Sequence, residues 1–122
     1  MQMKPLDPAF PLQEQLGLPD EGPMVLVNLF TVDAADEETF SEAWAADATY
    51  MKAQPGFIST QLHRALGSSP AYLNYAIWET KDAFRAAFGN PDFQAKLVAY
   101  PATAVVAPHL FRRVAVPGVC TA

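Results

Sequence analysis

Apolar residues first gather into a sustained run at Met24-Val25-Leu26-Val27-Asn28-Leu29-Phe30. The run is too short for a typical helix and rich in β formers, so it predicts a strand. Both of its faces are apolar apart from Asn28, which implies cover on two sides. Asp33 to Glu38 then supplies a cap residue and further acidic side chains, which suit the free N–H groups and positive dipole end of a helix. That helix runs to about Ala53, with Phe40, Ala43, Trp44, Ala48 and Met51 in one stripe and Gln54-Pro55-Gly56 as its end. Phe40 and Trp44 read as helix core.

Phe57 to Leu66 alternates, with Ile58, Thr60, Leu62, Arg64 and Leu66 on one face and Phe57, Ser59, Gln61, His63 and Ala65 on the other. Gly67-Ser68-Ser69-Pro70 is a turn, and Ala71 to Trp78 returns as the second arm of an antiparallel hairpin. Thr80 has the residue type of an N-cap, a helix follows through Phe84 and Phe88, and Gly89 stands where a C′ glycine belongs. Pro91 opens a second short helix that ends at Tyr100-Pro101. A last strand is expected from about Val105 to Val116, with Pro108 at an edge or bulge. The order β-α-β-β-α-β predicts an α+β, ferredoxin-like domain: four antiparallel strands with helices on one face. The uncovered face is too apolar for water, so two copies are expected to pair into a dimeric α+β barrel.

Residues 1–22 carry prolines, glycines and no sustained period, and read as an N-terminal arm with at most one turn around Leu12 to Leu16. Such an arm packs on a partner subunit or stays an unfolded tail. The domain proper spans 23–116, and 117–122 form a C-terminal tail.

Composition narrows the chemistry. With 122 residues and 51% hydrophobic content the chain can bury a core of its own. The single Cys120 has no partner within the chain, which fits a reducing, cytoplasmic compartment. Residues 1–10 do not read as a secretory signal, and no stretch approaches the ~18 apolar residues of a membrane span. A formal charge of -5, with Arg112 and Arg113 as the sole basic pair, argues against nucleic acid or an anionic membrane as partner. The ligand expected is a neutral or apolar small molecule. His63 and His109 stand far apart in sequence and nothing has zinc-ligand spacing, so no metal is expected. Glycine-rich nucleotide loops and a serine-hydrolase elbow are absent as well.

Neutral polar and aromatic residues on buried strands remain as candidates. Asn28 is the one polar residue of its strand's core, and a buried amide costs several kcal/mol unless some group or ligand satisfies it. Tyr72, Asn74 and Trp78 share one strand face, with Asn74 and Trp78 roughly 13 Å apart at the usual rise. On residue type alone a structural role is the simpler reading, since a strand Asn can bond to backbone and a Trp at a strand end is commonly core. His63 has the chemistry of a base, but equally that of an ordinary half-exposed histidine. Tyr50, His63, Tyr72, Phe84 and Phe88 are the candidates for substrate contact. Arg64 and Arg85 are read as solvated.

Three segments together resemble the antibiotic-biosynthesis monooxygenase family of small dimeric α+β barrel proteins. They are Val25-Leu26-Val27-Asn28, Gln54-Pro55-Gly56-Phe57, and Asn74-Tyr75-Ala76-Ile77-Trp78-Glu79 leading into Ala83-Phe84-Arg85. The resemblance covers about Pro23 to Val116. It implies that Asn28, Asn74 and Trp78 match the strand asparagines and tryptophan used by the cofactor-independent anthrone oxygenases of that family. A tyrosine that some relatives carry six residues after the tryptophan is Phe84 here. The haem-degrading branch binds iron through a histidine in the following helical segment, which here reads Phe93-Gln94-Ala95-Lys96-Leu97, so haem is not expected. The resemblance thus implies a monooxygenase without cofactor that oxidises an enolisable, anthrone-like aromatic with O2 to a quinone. A non-catalytic dimer that binds a small molecule, or an isomerase or cyclase on the same fold, stays open beside it.

Overall fold

In the computed structural model, which describes residues 1–19 and 22–122, two long central strands carry the domain. Asp20 and Glu21, the end of the expected arm, lie outside the described residues. The elements are β1 (Gln2–Met3), α1 (Leu12–Leu16), β2 (Met24–Thr31), α2 (Glu37–Lys52), β3 (Phe57–Arg64), β4 (Ala71–Trp78), α3 (Lys81–Phe88), α4 (Pro91–Lys96) and β5 (Val105–Phe111). They form one sheet of order β1-β5-β2-β4-β3, antiparallel throughout except that β1 runs parallel to β5. The β2-α2-β3-β4-α3-β5 core is the α+β, ferredoxin-like arrangement that the pattern predicts.

Register decides what each face carries. Met24, Leu26, Asn28 and Phe30 of β2 stand opposite Trp78, Ala76, Asn74 and Tyr72 of β4. Strand alternation turns all eight toward the helices. Two apolar clusters result, one built on Leu26, Met51, Trp78, Phe84 and Phe93, the other on Phe30, Phe40, Tyr72, Tyr100 and Val106. The asparagine pair falls between them. On the opposite face cover is incomplete: Val25 is buried, but Leu29 and Tyr75 are each 39% exposed and Thr31 is exposed. Within one chain, therefore, β2 is not covered on both sides as its apolar run implied.

The first residues pack on their own domain. Gln2 and Lys4 donate backbone N–H bonds to the carbonyls of Ala104 and Val106, which adds a short fifth strand that no periodicity announces. Gln15 is buried on α1; its amide oxygen accepts from Leu110 N at 2.8 Å and its Nε2 lies 3.0 Å from His109 Nδ1. The Lys81 ammonium donates to the carbonyls of Leu16 and Leu18, so a buried cation closes the C-terminal end of α1.

Four local expectations need correction. A bulge between Phe57 and Ser59 pairs Phe57 with Trp78, so Phe57 turns to the helical face and Ile58 to solvent. The acidic run before α2 makes no side-chain cap bond; Asp36 accepts from Thr103, and Glu37 accepts from Arg64 and Tyr72 instead. Arg64 is accordingly an ion-pair partner of Glu37 at 2.9 Å, although it stays exposed. The last strand stops at Phe111, and Val116 bridges only to Cys120. Pro108 faces the outer edge, beyond the end of β1, where its missing N–H breaks no ladder bond to β2.

Thr80 caps α3 by accepting from Ala83 N at 3.0 Å. Gly89 ends that helix with a right-handed φ of -80°, so it is not a left-handed cap. Gly56 is the glycine that geometry demands. Its φ is +84°, and a Cβ there would lie 2.4 Å from the Ala83 side chain on α3. Gly56→Ala is expected to destabilise the domain by about 2 kcal/mol or more. Denaturant unfolding checks this, and adding Ala83→Gly should restore the steric part of the loss but not the backbone part.

Candidate active site

The cavity lies between the helices and the middle of the sheet, where the two apolar clusters part. Asn28, Asn74 and Trp78 all line it, together with Leu26, Phe30, Ala76, Phe84, Phe88 and Phe93. Its volume is about 60 Å³, enough for several small molecules the size of water. A ring system needs more room. Met1, Met3 and Met51 are in its wall, and methionine side chains repack readily around a larger guest.

Each polar group is held differently. Asn74 is 7% exposed, and its Oδ1 accepts from the Thr60 hydroxyl at 2.5 Å. With the oxygen engaged, the amide nitrogen of Asn74 is left to donate into the cavity. Asn28, directly across the ladder, makes no side-chain hydrogen bond among the described residues. Trp78 is 1% exposed and fixed edge-on by Phe57 at 5.4 Å and Phe84 at 5.6 Å between ring centroids. It is a rigid wall rather than an open platform.

A carboxylate completes the lining. Trp44, Asp47, Ala48 and Met51 project from one side of α2 into the cavity. The Tyr100 hydroxyl donates to Asp47 Oδ2 at 2.6 Å. Burial pushes the Asp47 pKa up to about 6, against the opposing pull of the Tyr100 hydrogen bond and the more distant Lys96 charge. Burial and the neighbouring Asp47 charge also raise the Tyr100 pKa far above the usual phenol range, so Tyr100 remains a donor.

The other candidate residues are placed elsewhere. His63 is exposed on the open face of the sheet, its Nδ1 3.2 Å from the Leu73 carbonyl, and does not reach the cavity. Tyr72 faces the helices but donates to Glu37 Oε1 at 2.6 Å, outside the cavity wall. Tyr50 packs on Phe93, with a buried hydroxyl that finds no hydrogen-bond partner among the described residues. Phe84 and Phe88 do line the cavity.

Trp44, read from sequence as core, is half-buried in the cavity wall. Asp47 and Thr60 are cavity residues that the strand pattern does not single out, although Asp47 interrupts the apolar stripe of α2 at the i+3 position from Trp44. Among the described residues no three His, Cys, Asp or Glu side chains are grouped to hold a metal ion, and no helix is long and apolar enough to cross a membrane.

A family model described as antibiotic biosynthesis monooxygenase matches residues 23–96, which include every polar residue of the cavity wall. Over 74 residues the chain is 36% identical to deoxynogalonate monooxygenase of Streptomyces nogalater. That stretch is 61% of this chain and spans 62% of the relative's length. The crystal structure of SnoaB, a cofactor-independent oxygenase from Streptomyces nogalater, matches with a TM-score of 0.72 at 31% identity, over 80% of this chain and 99% of that one. A conserved protein from Methanosarcina mazei shares the fold at 9% identity, with a TM-score of 0.69 over 76% of this chain and 94% of its own.

The Asp47 shift has a stability consequence. The folded state holds this proton at pH values where the unfolded chain has released it, so stability is lost as pH rises from the ordinary carboxylate range through about 6. Asp47→Asn keeps an acceptor for Tyr100 and removes the charge. The variant is expected to match the wild type near pH 4 and to exceed it by about 1–2 kcal/mol at pH 8, after allowance for solvent screening. Denaturant midpoints at the two pH values measure the difference.

Proposed function

This chain belongs to the antibiotic biosynthesis monooxygenase family, and from that premise we propose that it is a cofactor-independent monooxygenase that oxidises an enolisable, anthrone-like aromatic with O2 to a quinone. The observation that carries the reading is the convergence of two amide side chains in an otherwise largely apolar, aromatic-walled cavity. An aromatic ring system suits such walls. Neutral donors suit the oxygen of a substrate that becomes an enolate as it loses a proton.

The chemistry has a simple balance. The substrate methylene gives up four electrons as it becomes a carbonyl, and O2 takes all four, one oxygen entering the product and the other leaving as water. No outside reductant enters that equation. In this reading the protein binds the ring, favours the enolate and excludes bulk water. The Asn28 and Asn74 amides donate to the developing enolate oxygen, and Trp78, braced by Phe57 and Phe84, fixes the ring plane. Phe84 and Phe88 complete the aromatic wall, while the methionines yield to admit the rings.

The open sheet face supports a second part of the proposal. Leu29, Tyr75 and Phe111 are exposed there beside His63. Apolar exposure of this kind marks an interface, so the working form is a homodimer joined through the sheets, acting in the reducing cytoplasm where the exposed Cys120 stays a thiol. Leu29→Arg is expected to give a monomer by sedimentation, whereas a variant that still sediments as the dimer would refute this interface.

Aerobic turnover of an anthrone such as emodinanthrone, with deoxynogalonate as a second substrate, tests the main reading on purified, metal-free protein. Asn74→Ala is expected to slow quinone formation by about 100-fold, the scale seen when one enolate or oxyanion donor is lost. Trp78→Phe should slow it less while raising KM. If both variants keep the wild-type rate with the fold intact, the assignment is wrong.

A further inference from the structure

Asp47 is costly where it stands. Its carboxylate faces an aromatic-walled cavity, and no Lys, Arg or His comes within ion-pair distance of it among the described residues. Of the groups packed around it, α4 contributes Lys96 at longer range, the turn after α4 contributes Tyr100, and the facing sheet contributes only the neutral side chains of Asn28, Thr60 and Asn74. A structural acid at such a position would be expected to carry a cation. One carboxylate oxygen is tied to Tyr100, which fixes the rotamer, and the other has no hydrogen-bond partner among the described residues.

Resting on the oxygenase reading above, we propose that Asp47 is the base that removes the proton from the acidic carbon of the substrate, with Tyr100 as its positioning residue. The substrate C–H bond breaks, the proton moves to the free oxygen of Asp47, and the bonding electrons pass into the enolate held by the Asn28 and Asn74 amides. The enolate carbon then joins O2, in single-electron steps, to give a peroxide anion, which recovers the proton from Asp47. In a second cycle Asp47 takes the remaining hydrogen from that carbon as the O–O bond breaks. The departing hydroxide collects the proton and leaves as water. Asp47 ends the reaction ionised, ready for another substrate.

The placement moves the base from the histidine that sequence offered to the helix layer. His63 is on the other side of the sheet, so acid–base work falls to the helix layer while charge stabilisation falls to the sheet layer. A base on α2 and donors on β2 and β4 approach a bound ring from opposite sides of one cavity. That arrangement lets the proton leave toward one wall while charge develops toward the other.

The test compares wild type, Asp47→Asn, Asp47→Glu and Tyr100→Phe in two assays. Oxygen uptake with an anthrone is followed against pH, and exchange of the anthrone methylene hydrogens into heavy water is followed without oxygen. Wild-type activity should rise with pH through about 6 and then level. Asp47→Asn should lose about 100-fold or more in both assays, lose that limb, and still melt no lower than wild type at pH 8. Asp47→Glu should recover part of the rate. Tyr100→Phe should move the pH limb upward, as expected from losing a hydrogen bond that favours the ionised form. At a pH where the anthrone ionises in solution, Asp47→Asn should regain most of its oxygen uptake, because its substrate then arrives deprotonated. If Asp47→Asn keeps the wild-type rate and pH limb, the base assignment falls while the oxygenase reading survives. If the wild type itself neither takes up oxygen nor exchanges hydrogen, both fall together.

Discussion

The opposition of Asn28 and Asn74 on the two central strands is the constraint on which the rest of the molecule turns. A polar row across the middle of the sheet divides the core, because apolar side chains on either side of it find one another and not the amides. The gap between the clusters is the cavity. Without the pair, Leu26 and Phe30 would have apolar neighbours throughout, and the helices would close on a continuous core. The polar interruption therefore creates the space and supplies the groups that act in it.

Holding this row open requires support from both layers. Thr60 takes one end of the Asn74 amide, and Tyr100 takes one oxygen of Asp47. Each leaves its partner with a single free functional atom aimed at the cavity, a form of preorganisation that hydrogen bonding achieves with little bulk. The expected price is stability, since an ionised Asp47 and an unpartnered Asn28 would both be better solvated in the unfolded chain. Gly56 and the Phe57 bulge keep the α3 end of the frame tight, setting Phe57 against Trp78.

Much of this was legible in the order of residues. Alternation and turn chemistry locate the hairpin, and the period of Phe40, Ala43 and Met51 locates α2, because a half-buried element must repeat its apolar residues at its own geometric period. The asparagine pair and Trp78 stand out as polar or bulky residues on buried strands. Less visible features depend on contacts between distant segments. The two-residue β1 has no period to detect, and its strand character comes from the edge of β5. Thr60 becomes the partner of Asn74 only through the register of β3 on β4, which runs unbroken from the hairpin turn to Ser59. His63 looked chemically apt, yet parity puts it on the other face. Asp47 did leave a mark, a charge inside an apolar stripe, that the helical period makes readable.

Where the two atoms of O2 go tests the central claim most directly. Metal-free protein is given an anthrone under isotopically heavy O2 with no reductant, and the quinone and the water formed are analysed by mass. The account predicts one O2 consumed per quinone, a single heavy oxygen in the product and the other in water. Quinone whose new oxygen comes from the solvent, or no oxygen uptake beyond that of the buffer, would contradict it.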